Sequence, residues 1–324
     1  MQRPALASPA APDHPIRPDP SAAMRKLPPE AIHLPFEPGP YRMAMDLVTV
    51  PESAWFELDD RYHAEMAEKR HLLATAHTEV FAATSLSDAA REETLNLVAA
   101  ALTTHHPDWF TRDAATLSNH LTGEAWTLTS SDPLELAGRL VQEDLCLIHN
   151  TEDGPVFTAA SLCFPSRWRL LDKIGKPLSA VHGPVPLYAD RLSSPVDRFM
   201  RHLRPNRIAS RLNWSLLTDP ALFQPGGKWQ AQADTGITPD NAGRHVFLRA
   251  ERQTLRRLPR TGAVLFGIRV HVYPLEKIID GPGRAAALIQ AVQALPAEIQ
   301  HYKSLLPFKP ALLAWLSTKI AAVA

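Results

Sequence analysis

Helical spacing of apolar residues dominates the first third of the chain. Residues 53–83 show this spacing, and a second helix is predicted to begin at Ser87. A third is predicted to begin at Asp132, where the run Asp-Pro-Leu-Glu supplies an N-cap, a proline at the first helical position and a glutamate at the third. This helix is predicted to end near Gln142. The segment 34–143 is therefore predicted to be mainly helical.

From residue 144 onward the pattern favours strands. Short apolar runs at 144–149 and 156–164 flank the sequence Thr-Glu-Asp-Gly, which is typical of a hairpin. A further strand is predicted at 207–217, and the segment 245–273 is predicted to form two long strands joined by a Pro/Gly turn. Short helices and a loop stiffened by three prolines are predicted between the second and third strands.

This order of elements predicts an α+β fold. Two strands, short helices and then three strands is the order of a PAS-like domain, in which an antiparallel sheet carries helices on one face. Such a domain encloses a pocket that suits a flat, apolar cofactor. The predicted divisions are a flexible Pro/Ala-rich tail (1–33), a mainly helical N-terminal part (34–143), a PAS-like core (144–280) and C-terminal helices (281–324) broken at Pro296, Pro307 and Pro310.

Composition narrows the class of protein. The 34 Lys and Arg residues balance the 34 Asp and Glu residues, so no global field favours nucleic acid or a membrane surface. No apolar stretch reaches the roughly 18–20 residues that span a bilayer. The two cysteines, Cys146 and Cys163, lie in apolar runs without a CxxC spacing, which is typical of reduced core residues in a cytoplasmic protein.

The first of the two long strands is unusually rich in arginine. A sheet edge does not ordinarily gather guanidinium groups around one carboxylate, whereas a site for an anion or a charged substrate does. Alternation places Arg249, Glu251 and Gln253 on one face of the strand. The charged and amide residues of this strand are Arg249, Glu251, Arg252, Gln253, Arg256 and Arg257.

Several motifs in series resemble the haem-dependent oxidative N-demethylase family. They are Phe-Pro-Ser-x-Trp at 164–168, Lys-Ile-Gly at 173–175, Val-His-x-Pro-Val-Pro at 181–186, Arg-x-Asn-Trp at 211–214 and Leu-Arg-x-Glu-Arg-Gln-Thr-Leu-Arg-Arg-Leu-Pro at 248–259. The resemblance implies a PAS-fold subunit that binds haem b and uses O₂ to remove a methyl group from a small secondary amine such as dimethylamine, giving formaldehyde and the smaller amine. It also implies that electrons come from a separate reductase with FMN, a [2Fe–2S] centre and NADPH.

His182, in the third motif, is the ligand of haem iron that this resemblance implies. A neutral imidazole is the usual proximal donor, and a proline-stiffened loop can fix it on a cavity wall. From the residues alone, a loop histidine bonded to backbone is the competing interpretation. His149, His245 and His271, which lie on predicted strands, are the alternative ligands.

Arg211 and Asn213 share one face of the predicted strand at 207–217. Arg211 could clamp a haem propionate or hold an oxygen species by hydrogen bonding, or it could form an ordinary surface ion pair. Asn213 is a further candidate for binding the cofactor. Trp214 points the other way and is predicted to pack in the core.

Glu251 could hold the ammonium group of an amine and accept its proton, with Arg249 beside it. The competing interpretation is a salt-bridge network between Glu251 and its arginines that fixes the sheet. Arg252 and Arg256 are further candidates for binding the cofactor, and for Arg256 docking of a partner or simple solvation is also open.

A haem-binding PAS sensor and a haem-free binding protein are the competing functions, since a PAS fold permits either. Sensors usually continue into an output domain, and the sequence contains nothing that resembles one. A thiolate ligand at Cys163 is a further possibility, although its context, Ser-Leu-Cys-Phe-Pro, indicates a core residue.

Overall fold

The computed structural model describes residues 26–129, 132–226 and 236–321. Its strands are β1 (Val48–Val50), β2 (Phe81–Ala83), β3 (Phe110–Asp113), β4 (Thr116–Asn119), β5 (Glu124–Thr127), β6 (Asp144–Thr151), β7 (Gly154–Ser161), β8 (Ile208–Leu217), β9 (Phe247–Arg257) and β10 (Val264–Pro274). Its helices are α1 (Tyr62–Thr75), α2 (His77–Val80), α3 (Asp88–His105), α4 (Pro133–Gly138), α5 (Leu178–Val181), α6 (Tyr188–Arg191), α7 (Ser193–His202), α8 (Ala242–His245), α9 (Leu275–Ile278), α10 (Pro282–Ala294), α11 (Ala297–Tyr302) and α12 (Lys309–Ala321).

A seven-stranded antiparallel sheet organises the molecule. The strand order is β1-β8-β9-β10-β6-β7-β2. Its five central strands are the five that the sequence predicts, and the long hairpin of β9 and β10 pairs in register from Phe247 with Pro274 to Arg257 with Val264. The α+β class is therefore confirmed, and the arginine-rich strand occupies the middle of the sheet instead of its edge.

One face of this sheet, called the front face here, packs against the short helices α5–α7. Leu178 and Met200 of those helices share a buried cluster with Leu255, Ile268 and Val270 of the sheet. Residues directly opposite in antiparallel strands point to the same face, so the register fixes which other side chains lie there. The front face carries Ala209, Arg211, Asn213, Arg249, Glu251, Gln253, Leu255, Phe266, Ile268 and Val270.

The opposite face, called the back face, packs against the N-terminal helices and, at the other end of its strands, against α10–α12. Leu147 and Leu265 join a core with Tyr62 and Leu102, while Leu248 joins a second core with the C-terminal helices. Both faces of the sheet are therefore covered by other parts of the protein. A strand that is buried on both faces needs apolar side chains at nearly every position, and the sequence of β10 is a nearly continuous apolar run.

Buried charges interrupt the back face at one place. Arg269 is fully buried and donates to Asp59 Oδ2 at 2.6 Å and to Glu65 Oε2 at 2.7 Å. The amide of Gln142 donates to both carboxylates, at 3.0 and 2.8 Å. These four residues, called the back-face network here, join the segment before β6 and the first turns of α1 to the centre of β10. A buried ion pair of this kind needs all its partners, because a single unpaired charge in the interior is costly.

The N-terminal part differs from the prediction in its strand content. It forms α1, α3 and α4 near the predicted places, but it also contains β1, β2 and a three-stranded sheet in the order β3-β4-β5. Asp132 caps α4 as predicted, accepting from the backbone N–H groups of Leu134 and Glu135. The helix ends at Gly138 instead of Gln142, and Gln142 lies beyond it with its amide in the back-face network.

The C-terminal helices break at Pro296 and Pro307 as predicted, but not at Pro310. Pro310 is the second residue of α12. A proline in the first turn costs no intrahelical hydrogen bond, since the N–H groups there have no partner within the helix.

Part of the predicted flexible tail is packed against the protein. Residues 1–25 lie outside the described residues. In the rest, Leu27 is buried in the N-terminal core, and the backbone N–H of Asp60 donates to the carbonyl of Pro28 at 2.9 Å. The hydroxyl of Tyr273 donates to the carbonyl of Ala31 at 2.5 Å. Order therefore begins before Leu34.

Within the described ranges, no helix is both long enough and apolar enough to cross a bilayer.

Candidate functional site

The loop that carries His182 is held at defined points. His182 follows α5, and its Nδ1 lies 2.9 Å from the carbonyl of Leu178. A carbonyl can only accept, so Nδ1 carries a proton, and in the neutral ring Nε2 is then the nitrogen with the lone pair. This is the tautomer in which an imidazole binds a metal through Nε2 while a backbone carbonyl fixes the ring.

Two further motifs, Lys-Ile-Gly at 173–175 and Phe-Pro-Ser-x-Trp at 164–168, hold the same loop in place. Lys173 donates from Nζ to the carbonyl of Val181, the residue before His182, and its ammonium lies 5.3 Å from the ring centre of Trp168. The backbone N–H of Gly175 donates to the carbonyl of Phe157 on β7 at 2.7 Å. Three of the sequence motifs thus converge on the position of one histidine.

Tyr188 completes the surroundings of His182. Its ring stacks on the imidazole at 4.4 Å between centroids, with 15° between the planes. Burial raises the pKa of Tyr188 to about 12, so the phenol keeps its proton at neutral pH. Its buried hydroxyl has no hydrogen-bond partner among the described residues. A hollow of about 240 Å³ opens beside these two rings, between α5 and α7.

Arg211 lies on the front face, on β8. It makes no ion pair within 4 Å in the part of the chain that the structure describes, and its buried Nε has no hydrogen-bond partner there. Burial lowers the pKa of Arg211, with Asp46 and Glu251 as the nearest compensating charges. A partly desolvated guanidinium without a bound carboxylate has the properties of an anion site.

Glu251 lies beside Arg211 on β9, and the structure surrounds its carboxylate with polar groups. Oε2 accepts from the side-chain amides of Asn213 at 3.1 Å and Gln253 at 3.0 Å. Oε1 lies 3.8 Å from Nε of Arg249, an ion pair that is too long to be a hydrogen bond. The register therefore joins two of the sequence motifs in one polar patch on an otherwise apolar face.

Lys303, just after α11, adds a cation to this region that none of the sequence motifs contains. It donates from Nζ to the backbone carbonyl of Trp214 and lies over that residue's ring at 5.2 Å. Burial lowers the pKa of Lys303 to about 8, the nearby Glu251 opposes this shift and Arg211 adds to it. A lysine with a pKa lowered toward neutral pH is better suited to exchange a proton than an ordinary lysine.

The guanidinium group of Arg249 donates its hydrogen bonds to backbone carbonyls. It is fully buried and donates to the carbonyl of Phe164 at 2.6 Å and to that of Leu222 at 3.2 Å. It thereby ties the motif that follows β7 and the loop after β8 to the middle of the sheet. Its position beside Glu251 agrees with the predicted shared face.

Arg252 and Arg256 lie on the back face, away from Arg211 and Glu251. Arg252 donates to the carbonyls of Trp55 and Ala54 and pairs with Glu57 at 3.0 Å. Arg256 pairs with Glu52 at 2.6 Å. Both were predicted as candidates for binding the cofactor, but strand alternation puts the even-numbered residues of β9 on the face opposite Glu251.

The alternative iron ligands lie in other surroundings. His271 is buried on the back face, where it contacts Glu30 and Glu57, and His245 ends α8 instead of lying on a strand. His149 bonds to the hydroxyl of Thr158 at 2.7 Å. Cys163 is fully buried in the apolar cluster of the front face, and burial raises the pKa of its thiol to about 12.

A protein-family model matches well over half of the chain. The model of the family described as "Haem-dependent oxidative N-demethylase, alpha subunit-like" matches residues 46–313. This span contains every motif that carried the resemblance, the whole seven-stranded sheet and both His182 and Lys303. The chain belongs to the haem-dependent oxidative N-demethylase alpha subunit-like family.

Proposed function

We propose that this protein binds haem b in a PAS-like core and catalyses the oxidative N-demethylation of a small secondary amine such as dimethylamine. The arrangement of side chains on the front face is the observation that supports this proposal. There Arg211, which has no ion pair within 4 Å among the described residues, lies beside the carboxylate of Glu251 on an apolar surface covered by α5–α7, and His182 follows α5. The order of two strands, helices and three strands supports the PAS-like assignment.

The residues present fit a haem. His182 has the tautomer in which Nε2 would bind iron, with the Leu178 carbonyl holding the ring. Arg211 would neutralise a propionate, since its buried Nε lacks a partner among the described residues. We leave Arg252 and Arg256 out of the proposed haem site, because their guanidinium groups are engaged on the back face.

Haem, when bound, supplies the activation of O₂ and the oxidation of the methyl group. The chain's own residues bind and orient the amine. Glu251 holds the ammonium of the substrate, with the Asn213 and Gln253 amides fixing the carboxylate. Lys303, which titrates near neutral pH, accepts a proton in the same region. The apolar front face limits the access of water to the reacting methyl group.

Electrons would come from a partner. The family description, alpha subunit-like, supports an assembly with other subunits. We propose that the partner is a reductase carrying FMN and a [2Fe–2S] centre that takes electrons from NADPH. The products would be formaldehyde and the smaller amine.

Replacing Glu251 by Gln is expected to weaken dimethylamine binding to the haem-loaded protein by about 10–150-fold. The change keeps the shape and the amide contacts but removes a charge-assisted contact worth about 1.5–3 kcal/mol. The measurement is a titration of the haem absorption with dimethylamine. Glu276→Gln removes the same charge from an exposed position on α9 and should leave the affinity unchanged. Unchanged affinity in a folded Glu251→Gln protein would reduce Glu251 to a structural partner of Arg249.

Dimethylamine binding is expected to tighten as pH rises through about 8. Below that pH the ammonium group of Lys303 repels a bound cation, whereas above it the Lys303 side chain is neutral. Dimethylamine itself stays protonated until about pH 10. Lys303→Met should remove this step and improve affinity at pH 7 about fivefold, since a like charge there costs about 1 kcal/mol. Binding titrations from pH 6.5 to 9, with the exposed Lys277→Met variant as control, test this. A pH step that survives in Lys303→Met would assign it to another group.

A further inference from the structure

A second cluster of ligand-type side chains lies on the back face, away from the proposed haem site. Nε2 of His33 lies 3.0 Å from Oε2 of Glu57, and Nε2 of His271 lies 3.2 Å from the same oxygen. The three donor atoms all lie within 4.8 Å of one another. His33 belongs to the N-terminal segment, Glu57 precedes α1 and His271 lies on β10, so three separate parts of the chain meet at one point.

The spacing suits a small divalent ion. Two donors at 2.0–2.1 Å from a tetrahedral Zn²⁺ lie about 3.3 Å apart, close to the two observed separations from Glu57. Two imidazoles and one carboxylate are donors that Zn²⁺ and similar transition-metal ions accept, whereas Mg²⁺ prefers oxygen donors alone.

The ligand atoms are oriented by further contacts, as they are in built metal sites. Nδ1 of His271 lies 2.9 Å from Oε1 of Glu30, which is the carboxylate–histidine arrangement that fixes a ring with Nε2 toward a metal. The other oxygen of Glu57 pairs with Nε of Arg252 at 3.0 Å, which leaves Oε2 directed at the two histidines. The hydroxyl of Tyr273 holds the chain at Ala31 and accepts from the backbone N–H of His33 at 3.4 Å.

The cluster is open to solvent on one side. The side chains of His33, Glu57 and Glu30 are 20%, 24% and 21% exposed, while that of His271 is fully buried. An ion could therefore enter from the His33 side and keep a water molecule as its fourth ligand. Glu30 and His33 precede the residues that the family model matches, which begin at 46.

We propose that His33, Glu57 and His271 bind a divalent transition-metal ion of the Zn²⁺ class, with Glu30 and Arg252 orienting the ligands. The ion would fasten residues 30–33 to β10 from the back of the sheet. This site is independent of the proposed haem function, because its residues lie on the opposite face from Arg211 and Glu251.

The test is a Zn²⁺ titration of the full-length, tag-free protein against a chromophoric chelator, with Mg²⁺ in a parallel arm. Wild-type protein should bind one Zn²⁺ per chain at this site, and Mg²⁺ should not compete. His33→Gln keeps a side-chain donor toward Glu57 but is a much weaker metal ligand, so it should lose this equivalent. Glu30→Gln should weaken it about 10–100-fold, as loss of an orienting contact does. His202→Ala, which removes an exposed ring at the end of α7, should change nothing.

Circular dichroism shows whether the variants are folded. If His33→Gln is unfolded, the Glu30→Gln titration tests the proposed metal site instead. Glu30 orients His271 without binding the ion, so its replacement should weaken Zn²⁺ binding and leave the three ligands in place. The proposal is overturned if wild-type protein binds no stoichiometric Zn²⁺, or if folded His33→Gln or Glu30→Gln binds it as tightly as wild type. Either result would leave the cluster as a hydrogen-bonded group of two histidines and two carboxylates.

Discussion

His182→Ala is expected to lower haem occupancy at least about tenfold while leaving the protein folded. Removing an orienting contact to a metal ligand costs about 10–100-fold in affinity, and removing the ligand itself should cost no less. His182 is half-buried on a short loop, and its ring contacts the Leu178 carbonyl and the Tyr188 ring, so its loss leaves the sheet untouched. The measurement is the Soret absorbance per chain after reconstitution with haem b.

His202→Ala is a matched control for this experiment. The Nδ1 of His202 also bonds the carbonyl four residues earlier, that of Arg198 at 2.7 Å, but the ring is exposed. That variant should keep the full Soret band. Added imidazole should restore the band of His182→Ala by entering the vacated position. An unchanged Soret spectrum in His182→Ala would place the iron ligand elsewhere, with His149 the next candidate.

Arg269→Met is expected to destabilise the protein by about 3–5 kcal/mol. Arg269 is fully buried between Asp59 and Glu65, at 2.6 and 2.7 Å. Its removal leaves two carboxylates in the interior without their cation, and breaking a buried pair in this way costs several kcal/mol. Methionine has a similar apolar volume, so the loss is mainly electrostatic. The measurement is the free energy of unfolding from denaturant titration.

Arg284→Met supplies the contrast for the stability measurement. Arg284 pairs with Asp280 at 3.0 Å, and both side chains are exposed, at 41% and 64%. An exposed pair contributes about 0–1 kcal/mol. Equal losses of stability in the two variants would mean that Arg269 has no special role in the back-face network.

Much of the central sheet could be predicted from the sequence, because its strands are long, apolar and bounded by Pro and Gly turns. The front-face grouping of Arg211 and Asn213, and of Arg249 and Glu251, followed from period-two alternation alone. The same rule should have separated Arg252 and Arg256 from them. They were predicted to bind the cofactor because they are arginines of the same motif, and that prediction did not take account of the face on which each side chain lies.

Other parts of the candidate site depend on contacts between distant segments, which local patterns do not specify. Lys303 reaches Trp214 from a position 89 residues later in the chain. His33 meets Glu57 and His271 from a segment whose Pro/Ala-rich composition predicts flexibility. The short strands β3–β5 were missed because runs of four residues carry too few positions for a periodic signal.

The most direct test of the central claim is the yield of formaldehyde from haem-loaded protein. The protein is incubated with dimethylamine, O₂, NADPH and a surrogate flavin and iron–sulfur reductase, and formaldehyde and methylamine are measured together. The proposed function predicts both products in equal amounts over many turnovers, with the yield from His182→Ala reduced in proportion to its haem content. Haem-loaded protein that accepts electrons from the reductase but forms neither product would contradict the assignment as an N-demethylase.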